Sequence, residues 1–231
     1  MRTLVIFFIL FCSLAAFGQQ VINDSISIDT KYREDQFYFN VTYNLVSNVP
    51  SNVNLRGLSG GVGFGFIRDM PFNKRRNVAI GIGLGLAYNR YGQNLFIGEG
   101  QNETSIFTVL DANANVDINR LSIATLEAPI ELRWRSSNAE KYKFWRVYTG
   151  VRIGYSYYYS STFTQENNKV IQTDISEFQP LSVTPTLSFG FNKINFFASY
   201  TLTPFFKDAQ TNLGKEVGFK PIKLGFIFYI L

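Results

Sequence analysis

The stretch VAIGIGLGLAYN, Val78 to Asn89, decides how the chain folds. Val78, Ile80, Ile82, Leu84, Leu86 and Tyr88 are bulky and apolar, whereas Ala79, Gly81, Gly83, Gly85 and Ala87 between them are almost bare backbone. Strict alternation predicts a strand, because successive side chains leave opposite faces of the pleat. A soluble sheet gives its bulky face to a core and a polar face to water, yet the second face here is glycine and alanine. What the two faces touch has to be read from the rest of the chain.

The same period recurs in eight segments of about ten residues or a little more. QFYFNVTYNLV sets Phe37, Phe39, Val41, Tyr43 and Leu45 against Tyr38, Asn40, Thr42 and Asn44. Leu58 to Asp69 opposes Val62, Phe64 and Phe66 to Gly61, Gly63 and Gly65. After Val78 to Asn89 come Leu121 to Trp134, FWRVYTGVRIGYSYYYS from Phe144 to Ser160, Leu181 to Phe191, Ile194 to Leu202 and Phe219 to Leu231. Connections alternate in length. Met70 to Asn77, Ser136 to Lys143 and Asn192 to Lys193 are short; Ser47 to Gly57, Arg90 to Arg120, Ser161 to Pro180 and Thr203 to Gly218 are longer. Short turns at one rim and long loops at the other describe an up-and-down outer-membrane barrel. The expected fold is therefore all-β: an antiparallel transmembrane β-barrel of eight strands over 36–231, with both termini on the periplasmic, short-turn side. NLFIG and SIFTVLD, inside the longest connection, would either extend a hairpin above the membrane or raise the count to ten.

Composition agrees with this reading. Of 231 residues 46% are apolar and 16% aromatic, a mixture that suits strands, and 17% are charged. The opening MRTLVIFFILFCSLAAFGQQ has a charged start, an apolar run and small residues before Gln19, so residues 1–18 read as a cleaved secretory signal and 19–35 as a periplasmic lead. Cys12 lies in that signal and the chain has no histidine. Disulfides, thiolate chemistry and the commonest metal sites are thereby excluded, and no cofactor is expected. A mild basic excess without a basic stripe gives no reason to expect nucleic-acid binding.

Charge placement chooses the face. Glu127, Glu131, Arg133, Arg146 and Arg152 share one parity, and each arginine at a bilayer midplane costs about 2 to 4 kcal/mol. Lipid must therefore see the bulky face, and the small and polar face fills the lumen. Trp134 and Trp145 bracket the second short turn with outward parity, as an interfacial girdle requires. An eight-stranded barrel is only wide enough for its own side chains, which argues against a diffusion pore. Pairing Trp134 with Trp145 would set Glu127 opposite Arg152 and Glu131 opposite Tyr148; a two-residue slip would bring Glu131 opposite Arg146. In both registers the five residues are expected to form a structural ion network, the alternative being a proton or ion pathway. GIGLG is not followed by a helix and so makes no phosphate loop. Without histidine, and with its carboxylates already matched to arginines, the barrel is not expected to be an enzyme.

Two stretches go beyond generic patterning. REDQFYFNVTYN, Arg33 to Asn44, and GFIRDMPFNKRRNVAIGIGLG, Gly65 to Gly85, closely resemble the PorT-like family of outer-membrane barrels, and TLSFGFNKINFFASYTL, Thr186 to Leu202, is similar to that family's sixth-to-seventh hairpin. The resemblance implies a non-enzymatic component or assembly factor of type IX protein secretion, supporting gliding motility or export. Expected partners are outer-membrane lipid and periplasmic or outer-membrane secretion proteins. Arg68, Asp69, Lys74, Arg75 and Arg76 crowd the first short turn, beside Arg33, Glu34 and Asp35, and are the candidate docking residues for an acidic or mixed-charge periplasmic surface. The alternatives are a small structural or adhesion barrel, acting through loops such as Ser161 to Pro180, and a narrow porin-like channel.

Overall fold

The computed structural model describes residues 35–100, 104–111, 114–136 and 144–230. The expected signal, and the lead that follows it apart from Asp35, lie outside the described residues. The strands are β1 (Gln36–Ser47), β2 (Gly60–Pro71), β3 (Val78–Gly92), β4 (Leu95–Glu99), β5 (Ser105–Val109), β6 (Ile118–Arg135), β7 (Trp145–Gln165), β8 (Asn168–Gln172), β9 (Leu181–Phe191), β10 (Ile194–Tyr200) and β11 (Lys220–Ile230). Eight of them follow one another in the order β6-β3-β2-β1-β11-β10-β9-β7, and β6 pairs with β7 to close the cylinder. Every pairing in the wall is antiparallel. The eight-strand expectation holds and the ten-strand alternative does not: NLFIG and SIFTVLD become β4 and β5, a separate two-stranded sheet. Strand β8 only lengthens the projecting end of β7.

Outward positions carry the bulky apolar residues. Phe37, Phe64, Leu84, Leu132, Ile153 and Phe226 are among the many large hydrophobics left exposed around the wall. An apolar belt of this extent is far beyond what a water-soluble surface carries, and closure leaves hydrocarbon no unpaired strand edge. A bulge between Ala124 and Thr125 of β6 and the facing segment of β7 interrupts the alternation, pairing Ala124 with Tyr158 and Thr125 with Ser156. The extra residue, Tyr157, and Tyr158 consequently both stand exposed, while Tyr159 turns in and stacks on Phe178 at 4.0 Å. Bulges bend a strand and re-aim its side chains, here where the wall leaves the belt.

The glycines of β2 and β3 are space for long neighbours. Beta-carbons on Gly65 or Gly85 would collide with the Tyr38 ring or its hydroxyl, and one on Gly81 would lie 2.7 Å from Cδ of Arg133 and 2.8 Å from Cγ2 of Ile67. Bare positions on one wall thus receive tyrosine, arginine and isoleucine from others, at the density an interior requires.

At the long-loop end the connections fold over the cylinder. Tyr91, Leu95, Ile97, Phe107, Phe178 and Phe206, with neighbours from the same loops, form one buried apolar cluster. The cap is tied together by Glu177, whose carboxylate accepts the Ser105 N–H at 3.2 Å and whose carbonyl accepts the Lys207 N–H at 2.8 Å.

The register of β6 against β7 departs from both expected alignments. Trp134 faces Val147, Arg133 faces Tyr148, and Arg135 faces Arg146, a shift of two residues away from the Trp134–Trp145 pairing in the direction opposite to the one anticipated. Parity is unchanged by such a shift, so composition on the two faces could not discriminate. Cysteines at Trp134 and Val147 are expected to cross-link on oxidation, since directly opposed residues bring their beta-carbons near disulfide distance. Cysteines at Trp134 and Trp145 are expected to stay reduced; mobility on non-reducing gels reads both.

Glu177 also gives the cap a pH dependence. Burial pushes its carboxyl up, but hydrogen bonds around Ser105 and Ser176 outweigh this and hold it below the ordinary carboxylate value. A depressed folded value means that its stabilisation is complete above the unfolded value and is lost as pH falls through the folded one. Acidification is expected to raise protease sensitivity of the loops, and Glu177→Gln to remove that pH-dependent part while raising sensitivity at neutral pH.

Candidate functional site

The lumen holds four buried arginines and three buried carboxylates among the described residues. Nearest the short turns, Asp69 on β2 reaches two guanidinium groups with separate oxygens: Arg133 at 2.9 Å and Arg135 at 2.7 Å. Arg133 also donates to Oε1 of Gln36 and lies over the Tyr148 ring at 4.2 Å and the Tyr229 ring at 5.5 Å. Arg135 donates to the Arg76 carbonyl at 2.8 Å. Above this layer Tyr38, Ile67, Tyr148, Phe197, Ile227 and Tyr229 pack into an inner cluster.

Further toward the loops Arg152 donates to Glu127 at 2.9 Å, with its guanidinium 4.9 Å from both the Tyr38 and the Phe197 rings. Lys223 approaches the other Glu127 oxygen at 3.9 Å. Asn40, Asn44, Asn89, Thr125, Ser156 and Thr184 complete a polar layer under the cap. Cavities of about 30 and about 10 Å³ lie beside Glu127, room for about one water each at most. The lumen is filled by side chains.

The expected ion network is thus present in substance and altered in detail. Glu127 and Arg152 pair, but diagonally, because Glu127 faces Gly154 and Arg152 faces Pro129. Glu131 lies 3.7 Å from Nε of Arg133 and faces Gly150, opposite neither Tyr148 nor Arg146. Arg146 donates to the Asn192 carbonyl and covers the Phe144 ring at 4.1 Å.

The largest correction concerns Asp69. It was expected among the exposed docking residues of the first turn, but β2 continues to Pro71 and Asp69 is fully buried in the lumen. Its parity, shared with Gly63, Gly65 and Ile67, carried that information. Arg135 and Lys223 were also missed, and again parity could have found them: Arg135 follows Glu131 and Arg133 on β6, and Lys223 precedes Gly225 and Ile227 on β11. Of the remaining turn residues, Lys74 and Arg75 are exposed, and Arg68 is exposed on the lipid-facing side of β2. Arg76 is half-buried, with a positive φ of 53° and its carbonyl held by Arg135, so it shapes the turn. Arg33 and Glu34 lie outside the described residues; Asp35 accepts the Asp69 N–H at 2.9 Å.

An apolar outer belt, a closed wall and a charged, filled interior are the arrangement of a membrane-spanning barrel. Residues 17–229 match the family described as outer membrane protein beta-barrel domain. The chain belongs to that family. It is therefore an outer-membrane barrel. No curated protein and no solved structure gives a significant match.

Within this outer-membrane barrel the buried charges are expected to bear on stability. Removing one partner of a buried ion pair leaves the other uncompensated, at a cost of about 3 to 5 kcal/mol. Asp69→Asn is expected to destabilise the barrel on that scale, read as a lower urea midpoint for loss of heat-modifiable gel mobility. Glu127→Gln is expected to lower the midpoint as well and to open no defined conductance in planar bilayers.

Proposed function

We propose that this barrel is a non-enzymatic component or assembly factor of type IX protein secretion, with its short turns and both chain ends in the periplasm. The observation that carries the reading is the contrast between its interior and its rim. The lumen is packed with paired charges and aromatic rings, and the long-loop end is capped. At the other end Arg68, Lys74 and Arg75 stand exposed, on and beside a single turn. A filled cylinder whose uncapped mouth carries a turn with exposed cations fits a docking part better than a conduit. The resemblance of RDMPFNKRRN, Arg68 to Asn77, to PorT-like barrels supplies the secretion context.

In this role the turn meets an acidic or mixed-charge periplasmic surface, where complementary charge speeds encounter and selects partners. Asp69 and Arg76 contribute by holding the turn, and Lys74 and Arg75 by touching the partner. The double variant Lys74→Glu and Arg75→Glu is expected to reduce export of many unrelated cargo proteins to the level of a gene deletion, while barrel abundance and heat-modifiable mobility stay at wild-type values. Normal export by that variant removes the docking role. Loss of surface attachment alone, with export intact, assigns the activity to the loops and an adhesion barrel.

A further inference from the structure

Two recesses meet where the β2–β3 hairpin leaves the apolar belt at the long-loop end. One is a cavity of about 320 Å³ with Arg56, Arg90 and Arg120 on its walls and, among the described residues, a single carboxylate, Asp117, which accepts the Glu166 N–H at 3.2 Å. The other is an open groove of about 570 Å³ on the outside of the barrel, walled chiefly by Val41, Tyr43, Val62, Tyr88 and Phe226. Leu58 and Arg90 belong to both.

The strand register explains the groove. Tyr43, Gly60 and Arg90 stand in one row across β1, β2 and β3, and Val41, Val62 and Tyr88 form the next row toward the middle of the belt. Gly60 has no side chain to close the gap between the tyrosine and the arginine. The trough that results runs from the apolar belt up to a guanidinium group.

Arg90 shares its parity with Leu84, Leu86 and Tyr88, so it stands on the lipid side of the wall. It is exposed, its guanidinium lies 6.0 Å from the Tyr88 ring, and it makes no ion pair among the described residues. Three guanidinium groups against one carboxylate among the described residues give the cavity a positive field, which calls for an anionic ligand. Guanidinium groups match phosphate in geometry as well as charge. The adjoining groove calls for an aliphatic chain.

We infer that this rim binds a phosphate-bearing membrane lipid, with the phosphate held at Arg56, Arg90 and Arg120 and one acyl chain laid in the groove over Gly60. A lipid is the occupant because the groove is continuous with the belt that acyl chains already cover, and because its cationic end lies where headgroups begin. The site is independent of the secretion reading and stands at the opposite mouth from the docking turn.

Native mass spectrometry of the purified full barrel in detergent tests this, with dioleoyl phosphatidic acid and dioleoylglycerol as probes that differ in the phosphate alone. The wild type is expected to retain phosphatidic acid at about tenfold lower concentration than dioleoylglycerol, the scale of a charge-assisted contact. Arg90→Gln is expected to abolish most of that preference. Val62→Trp, at an exposed position that leaves the interior untouched, is expected to weaken phosphatidic acid binding with every arginine in place. Both variants are checked for heat-modifiable mobility. Equal retention of the two lipids by the wild type, or unchanged retention by both variants, overturns the proposal. Full displacement of phosphatidic acid by equimolar inorganic phosphate also overturns it and assigns the cavity to a free anion.

Discussion

A cylinder of eight strands has a bore set by geometry, and hydrocarbon around it accepts neither a free backbone amide nor a charge. Every charged side chain in the belt must therefore turn inward and share a fixed volume. The chain meets this constraint by matching sizes across the bore. Gly65 and Gly85 give room to Tyr38, and Gly81 to Arg133 and Ile67. The alternation of Val78 to Asn89 is the outward sign of that arrangement: leucine and isoleucine for lipid, bare backbone for partners supplied by other strands.

Volume alone does not settle the charges. The buried arginines outnumber the buried carboxylates among the described residues, and an isolated cation in a low-dielectric interior is costly. Aromatic faces supply part of what the carboxylates do not. Arg133 lies over Tyr148 and Tyr229, Arg152 between Tyr38 and Phe197, and Arg146 over Phe144. A desolvated contact of this kind is worth about 2 kcal/mol, comparable to a good hydrogen bond. The inner tyrosines therefore serve twice, as filling and as counter-groups, and Asp69 economises further by spreading one carboxylate over two arginines.

Parity was legible in the sequence because it is a local property: each strand shows its two faces without reference to its neighbours. The eight segments and the inward set Glu127, Glu131, Arg133, Arg146 and Arg152 follow from it, and the closed up-and-down order from the alternation of short turns and long connections. Register was not legible, because a two-residue slip preserves every face and is decided by how all eight strands pack at once. For this reason Glu131 came out beside Arg133 and away from Arg146. Asp69 was misplaced for a different reason. A run of charge at Arg68 to Arg76 resembles a solvated turn, and the parity of β2 beyond Ile67 was not followed into it. The bulge at Tyr157 left no mark in the local pattern, since three successive tyrosines present the same side chain to both faces. The loop cap was invisible for want of any period: Phe107, Phe178 and Phe206 come from separate connections and meet only in three dimensions.

The buried ion layer and the exposed turn are mechanically one unit. Arg135 is anchored below by Asp69 and reaches the carbonyl of Arg76, and its backbone N–H donates to the Asn77 carbonyl at 2.9 Å. Asn73 closes the turn from the other side: its carbonyl accepts the Arg76 N–H at 2.9 Å and its side chain accepts the Val78 N–H at 3.1 Å. Lys74 and Arg75 thus project from a loop fixed at both ends, and a charge presented on a rigid support loses less conformational entropy when it meets a partner. If the lumen served passage, so much fixed charge would obstruct it. The same charge holds the turn in place, so the filled interior and the turn on which the proposed docking role rests are best understood together.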